Sequence, residues 1–128
     1  MGLRTADRTF STLLLRFWLP ALAYVALVLF VGSRPHLRPP ITFVQADKVM
    51  HAFEYLVLGL LLARAARATW ASRVPAALVA LCLGILVGTC DELQQAHVPG
   101  RSSSGFDLMA DTVGLALAPL VTRAFTRD

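Results

Sequence analysis

Residues 91–111, DELQQAHVPGRSSSGFDLMAD, separate two apolar runs and carry the side chains best suited to do chemistry. Carboxylates can exchange protons or bind a divalent cation, and an arginine after a Pro-Gly turn can bind an anion bidentately. Helical spacing places two sets of residues within arcs of roughly 100° or less: Gly84, Gly88, Asp91, Glu92 and Gln95, and then Asp107, Asp111, Gly114 and Ala118. Two helices joined by this turn would therefore face each other, with acids at one end and Arg101 as the nearest cation.

A second polar segment, DKVMHAFEY at residues 47–55, opens another apolar run. Six of the eight acidic residues thus fall at the ends of three predicted helices, beside Lys48, His51 and Arg101: Asp47, Glu54, Asp91, Glu92, Asp107 and Asp111. Ionisable side chains within a membrane span are costly, so their convergence from three helices indicates function. The simpler alternative is a salt-bridge network that holds the helices together, with the acids at helix starts serving as N-caps.

Composition indicates the elements that must position these residues. Hydrophobic residues make up 56% of the 128 residues, charged residues make up 16%, and the mean hydropathy is +0.62. Soluble domains contain about 25% charged residues, so we predict an all-α membrane protein whose four transmembrane helices form one small bundle. We expect a single domain over residues 1–128, with spans at approximately 13–32, 49–66, 74–92 and 106–122. The arginines are scattered between these runs, which argues against nucleic-acid binding.

The first apolar run could be a signal peptide, because a basic segment precedes it. We interpret it as an uncleaved span, since GSRPHLRPP, which follows, lacks a small-x-small cleavage site. Pro20 is expected in the first turn of this helix, where a missing N–H costs least.

Orientation follows from the basic residues. With the N-terminus inside, eight are cytoplasmic (Arg4, Arg8, Arg16, Arg64, Arg67, Arg73, Arg123 and Arg127), and four are not (Arg34, Arg38, Lys48 and Arg101). Cytoplasmic loops carry an excess of Lys and Arg, so both termini are predicted to be cytoplasmic. The polar ends of the second, third and fourth helices then lie on the outer side.

The blocks DKVMHAFEYLVLG and DELQQAHVPGRSSSGFDLMADTVG resemble the VanZ-like family of small bacterial membrane proteins, whose founding member is associated with teicoplanin resistance. The matching positions are Asp47, Lys48, His51, Tyr55, Glu92, Gln95, Pro99, Gly100, Arg101, Asp107 and Gly114. Two positions depart from the usual pattern, because Asp111 stands where the family usually has Asn and Gln94 where many members have His. The resemblance implies four helices in the bacterial cytoplasmic (inner) membrane and a link to the cell envelope or to glycopeptide resistance.

Four functions compete for this polar cluster. Lys48, His51 and Arg101 could hold the phosphate or carboxylate of an anionic amphiphile, such as a phospholipid or polyprenyl-linked cell-wall precursor. An intramembrane enzyme could instead use His51 and Glu92 as an acid–base pair, although no activated Ser or Cys nucleophile is recognisable. The third alternative is a divalent cation held by His51, Glu92, Asp107 and Asp111, whose hard oxygen ligands suit Mg²⁺ or Ca²⁺. A helix-packing scaffold is the fourth.

We rank the binder first and expect its ligand to contact Lys48, His51, Tyr55, Glu92, Gln95, Arg101, Asp107 and Asp111. No catalytic residue, metal ligand or cofactor is assigned, and the oligomeric state is not predicted. Gly84, Gly88 and Gly114 are interpreted as packing residues, and residues 102–104, three serines, as a flexible turn.

Overall fold

The computed structural model describes residues 9–36 and 43–125, and within these ranges the chain is helical with no strand. Four helices follow one another: α1 (Thr9–Gly32), α2 (Ala46–Thr69), α3 (Arg73–Gln95) and α4 (Gly105–Phe125). Each is long and apolar enough to cross a bilayer. The four helices form one bundle, which confirms the predicted fold class of an all-α, multi-pass membrane protein.

The helices extend beyond the predicted spans at their polar ends. The second was expected from residue 49 but begins at Ala46, and the third was expected to end at residue 92 but continues to Gln95. Apolar content defined the predicted limits, whereas backbone hydrogen bonding within the helix defines the observed ones. Asp91 and Glu92 thus lie in the last turns of α3, within the predicted span, and Asp47 lies in the first turn of α2, before the predicted span.

Pro20 lies in the first turn of the α-helical segment Leu19–Gly32, as predicted, although α1 as a whole begins earlier, by Thr9. A π-helical turn at Leu14–Trp18 precedes this segment, and Leu19 separates the turn from the proline. Proline cannot donate to the carbonyl four residues earlier, and its ring crowds that carbonyl. A local i→i+5 turn is one of the ways in which a helix accommodates such an interruption.

Glycines allow α2, α3 and α4 to approach closely. A Cβ atom on Gly114 would collide with the main chain of α2 at Ala52, and one on Gly84 would collide with the side chain of Leu115. Small residues at helix crossings let backbones come together in a membrane, where apolar burial alone does not drive association. Gly84, Gly88 and Gly114 are thus packing residues, as the sequence indicates.

α1 joins this three-helix core through aromatic side chains. The Trp18 indole N–H donates to Thr69 Oγ1 (2.9 Å), and the rings of Trp18 and Trp70 meet edge to face with centroids 6.4 Å apart. Further along, the Tyr24 hydroxyl donates to the Glu54 carbonyl (3.2 Å). The start of α1 thus lies beside the end of α2, and its end, at Gly32, contacts Asp91 of α3. All polar residues singled out from the sequence consequently share the other end of the bundle.

Candidate functional site

The starts of α2 and α4, the end of α3 and the loop at residues 96–104 converge at one end of the bundle. This loop turns at Gly100, whose φ of 77° belongs to the left-handed region that glycine adopts without strain. A side chain at position 100 would also collide with the ring of His36. The His36 N–H donates to the Pro99 carbonyl at 3.4 Å, so the segment after α1 supports the turn that carries Arg101.

Lys48 joins α2 to α4 through ion pairs. Its Nζ atom lies 2.6 Å from Asp47 Oδ2 and 2.5 Å from Asp107 Oδ1. Asp107 is buried in the first turn of α4, whereas Asp47 is exposed. The Lys48 ammonium group is therefore shared by two carboxylates, and it fixes the start of α4 against the start of α2.

His51 and Asp111 form a second link between the same helices. His51 Nδ1 and Asp111 Oδ1 are 2.8 Å apart, and Asp111 is fully buried. With an ionised Asp111, the Nδ1–H of the ring is the donor and Nε2 is the ring nitrogen left for another partner. Gly88 of α3 makes room for this pair, since a Cβ atom there would lie 3.1 Å from Asp111 Oδ2.

Glu92, at the end of α3, receives its hydrogen bonds from the loop. The Ser103 hydroxyl and the Ser104 backbone N–H each donate to Glu92 Oε2 at 3.0 Å. The Ser104 hydroxyl accepts from the Asp107 backbone N–H at 3.2 Å, as an N-cap does. The interpretation of these serines as a flexible turn was therefore wrong, because two of them position a buried carboxylate and begin α4.

Gln95 and Asp91 lie one helical turn apart and bond to each other. The Gln95 amide donates to Asp91 Oδ2 at 2.8 Å, and both side chains are buried. Asp91 packs against Gly32, which connects this pair to α1. Gln94, on the neighbouring side of the helix, donates to the Leu29 carbonyl at 3.1 Å. These amides tie the end of α3 to α1.

A cavity of about 140 Å³ opens between these groups. Its lining combines α2, α3, α4 and the loop: Asp47, His51, Gln95, Gly100, Arg101, Ser102 and Asp107. Beside it, one donor atom each from His51, Glu92 and Asp107 lie within 4.8 Å of one another. Among the described residues, six carboxyl groups thus share this end of the bundle with Lys48, His51 and Arg101, so carboxylates outnumber cationic groups.

The eight residues selected from the sequence occupy three positions relative to the cavity. Four line it: His51, Gln95, Arg101 and Asp107. Lys48, Asp111 and Glu92 lie behind these through the contacts described above. Tyr55 is fully buried deeper in the bundle, where its ring packs over Gly88 beside Asp111.

Ser103 and Ser104 were missing from the selected residues. One signal could have revealed Ser104, because Ser followed three residues later by an acid and then by an apolar run is a typical helix start. No comparable sequence signal marks Ser103, whose contact depends on how the loop folds back over α3.

A family model described as VanZ/LLP1 matches residues 6–126, which is nearly the whole chain. This match confirms the resemblance drawn from the two polar blocks. Comparison with the curated proteins and with the solved structures gives no match.

Proposed function

Because this chain belongs to the VanZ/LLP1 family, we propose that its polar cavity binds the anionic headgroup of a membrane amphiphile. The ligand class is a phospholipid or a polyprenyl-linked cell-wall precursor. The observation that carries the proposal is the placement of Arg101 and His51 on the wall of a small cavity between three membrane-spanning helices.

The size of the cavity favours a headgroup over a whole ligand. Pockets for drug-sized ligands have volumes of roughly 300–1,000 Å³, whereas this cavity has about 140 Å³. A phosphate or carboxylate group fits such a space, and the rest of the amphiphile would lie outside it. Arg101 has five N–H donors, so it can bond to the protein and to an anion at the same time.

The helix directions also favour an anion. α2 and α4 both begin at this end of the bundle, and helix N-termini carry partial positive charge. Lys48 and His51, on the first turns of α2, add to that field. Asp47 and Asp107 partly offset that field. Arg101, in the loop, is therefore the residue whose substitution tests anion binding most directly.

The hydrocarbon chain has a candidate position deeper in the bundle. An apolar cavity of about 210 Å³ lies between α2, α3 and α4, lined in part by Gly59, Ala80, Leu115 and Pro119. Gly59 follows His51 by eight residues on α2, which corresponds to about 12 Å of helix rise. A headgroup at His51 and a chain passing Gly59 are compatible with one amphiphile aligned along the bundle.

The biological setting proposed for this binding is the bacterial envelope. We place the protein in the cytoplasmic (inner) membrane as a single domain over residues 1–128, with both termini cytoplasmic and the cavity on the outer side. Its role there would be envelope maintenance or resistance to glycopeptides such as teicoplanin.

The test begins with lipids that copurify in native membrane particles, identified by mass spectrometry. Binding of a polyprenyl phosphate and of phosphatidylglycerol is then measured in particles of neutral lipid. Arg101→Lys keeps the charge but loses the bidentate geometry, so we expect weaker binding, and still weaker binding in Arg101→Ala. Arg34→Ala is the control, because Arg34 lies at the same end, is exposed and contacts the Phe30 ring. Equal binding by Arg101→Ala and wild type would refute the headgroup site.

A second function, an intramembrane acid–base enzyme, is favoured by the hydrogen bond between His51 and Asp111. That bond orients the imidazole and leaves Nε2 for proton transfer, with Glu92 nearby. Glu92→Gln keeps the shape and removes the acid, so a binder should tolerate it in part. An enzyme should lose roughly 10²–10⁴-fold in rate. A lost resistance or envelope phenotype with intact binding in Glu92→Gln would favour the enzyme, and loss of folding in both Glu92→Gln and Arg101→Ala would favour a scaffold.

A further inference from the structure

We propose that His51, Glu92 and Asp107 hold a divalent metal ion beside the polar cavity. This inference goes beyond headgroup binding, and it concerns an ion that this protein would bind with or without an amphiphile. One donor atom from each residue lies within 4.8 Å of the others. Metal–ligand bonds measure about 2.0–2.6 Å, so two donors of one ion lie up to about 5 Å apart.

A buried carboxylate oxygen without a donor supports the site independently of that spacing. Glu92 is only 7% exposed, and its Oε1 atom has no hydrogen-bond partner among the described residues. Its other oxygen, Oε2, already accepts from Ser103 and Ser104, so the carboxylate is held in place with one oxygen unsatisfied. A buried charged oxygen left in this way costs free energy unless a cation or another donor satisfies it.

The surroundings of His51 match those of a metal-ligating histidine. Such residues usually donate one ring N–H to a carboxylate, which fixes the ring and makes the other nitrogen a better ligand. Asp111 Oδ1 lies 2.8 Å from His51 Nδ1, and Asp111 is completely buried. In this arrangement Asp111 is the positioning residue and Nε2 is the ligand atom.

The charge balance favours an ion in addition to the cationic side chains. Lys48 Nζ already contacts two carboxylates, Asp47 and Asp107, and neither contact reaches Glu92. A divalent ion would neutralise the acids that would otherwise repel an anionic headgroup. One imidazole and two carboxylates suit Zn²⁺ or Mn²⁺ better than Ca²⁺ or Mg²⁺, which bind through oxygen, and three protein ligands leave coordination positions open.

The experiment uses the full-length protein in neutral lipid particles, stripped of metal with a chelator and supplied with no anionic amphiphile. Bound Zn²⁺ is counted by elemental mass spectrometry after dialysis, and Mn²⁺ is titrated by electron paramagnetic resonance. We expect one ion per chain and a rise in the thermal midpoint when Zn²⁺ or Mn²⁺ is added. Glu92→Gln and His51→Gln should each weaken binding by at least about 10-fold, since removal of even a supporting partner of a ligand has that effect.

Asp91→Asn is the matched control. Asp91 is the adjacent buried acid on the same helix, and it packs against Gly32 and accepts a hydrogen bond from Gln95; it does not belong to the group of donor atoms formed by His51, Glu92 and Asp107. It should therefore retain the ion, and Lys48→Met should bind the ion more tightly because a competing positive charge is gone. A wild-type protein that binds no ion and shows no change in midpoint would overturn the site, even if both ligand variants failed to fold. Equal losses of metal affinity in Asp91→Asn and Glu92→Gln would overturn the site too. Because no anionic amphiphile is present, a failure to bind metal leaves the headgroup proposal unaffected. A failure to bind an anionic headgroup likewise leaves the metal site unaffected.

Discussion

At the scale of single residues, the candidate site depends on small polar groups that hold larger charged ones. Glu92 is fixed by a serine hydroxyl and a backbone N–H, and the same loop supplies the cap that begins α4. A hydrogen bond to an ionised group contributes more than a neutral one, and the carboxylate can accept several at once. The loop at residues 96–104 is thus a structural part of the site.

Ser103→Ala tests that conclusion. The change removes one donor to the Glu92 carboxylate, and hydrogen bonds to charged groups contribute about 1.5–3 kcal/mol. We expect a lower thermal midpoint in detergent, together with weaker headgroup binding because Glu92 is no longer held in place. Ser102→Ala is the control, since the Ser102 hydroxyl has no hydrogen-bond partner within the described part of the chain. If the two variants have the same midpoint, the Ser103 bond contributes nothing to the fold.

The charge of Asp111 is a separate matter, because the Asn that the sequence resemblance leads us to expect at this position would be neutral. An Asn carbonyl oxygen can accept the same hydrogen bond from His51, so the geometry does not require a charge. A carboxylate makes that bond charge-assisted and adds one negative charge beside the cavity. The substitution therefore strengthens the case for a cation near His51.

At the scale of elements, close approach of α2 and α4 decides whether the site forms. Lys48 and His51 come from the first turns of α2, and their partners Asp107 and Asp111 come from the first turns of α4. Gly114 lies less than a turn beyond Asp111 and touches the α2 backbone, so it sets the separation of the two helices at the site. The small residue at this crossing has a functional consequence as well as a packing one.

Gly114→Ala should therefore destabilise the protein more than the addition of a single methyl group suggests. The added methyl group would meet main-chain atoms of Ala52 and Leu56, which have no free rotamer with which to move away. Overpacking of this kind costs about 1–3 kcal/mol. Gly105→Ala is the matched control, because nothing lies within 4 Å of a Cβ atom there. Thermal midpoints in detergent are compared, and an equal midpoint for the two variants would contradict the close crossing.

At the scale of the whole molecule, the six described acidic residues and the two tryptophans lie at opposite ends of the bundle. The acids gather with the cavity, whereas Trp18 and Trp70 contact each other at the other end. There Arg64 stacks over the Phe17 ring, with its guanidinium carbon 5.0 Å from the centroid. Tryptophan is enriched at both membrane interfaces, whereas arginine is more frequent on the cytoplasmic side, so only the arginines of this end bear on the orientation.

The topology can be measured with paired reporters, alkaline phosphatase and green fluorescent protein, fused after Arg38, Arg67, Arg101 and Arg127. We expect these positions to report outside, inside, outside and inside, because eight basic residues against four favour cytoplasmic termini. The two reporters are active on opposite sides, so each fusion carries its own control. A cytoplasmic signal after Arg101 would place the cavity on the inner face and exclude direct access to an outer-leaflet precursor.

The sequence by itself determined the number and type of the helices and the set of polar residues that could meet. Long apolar runs predict membrane helices because the backbone must satisfy its own hydrogen bonds in lipid. The 3.6-residue period then assigned Glu92 and Gln95 to one face of a helix, and Asp107 and Asp111 to one face of the next. Both assignments required only local geometry, and all four side chains are buried.

Only the tertiary structure decided which of these residues contact each other. Periodicity gives the face of a helix, but the register between two helices depends on where their side chains allow close approach. The pairs His51–Asp111 and Lys48–Asp107 join residues about sixty positions apart, and they follow from the glycine contacts that align α2 with α4. The bonds of Ser103 and Ser104 to Glu92 depend on the path of a loop, which no helical period describes. Apolar content also does not reveal the π-helical turn at Leu14–Trp18, which extends α1 back to Thr9 ahead of the α-helical segment that contains Pro20 in its first turn.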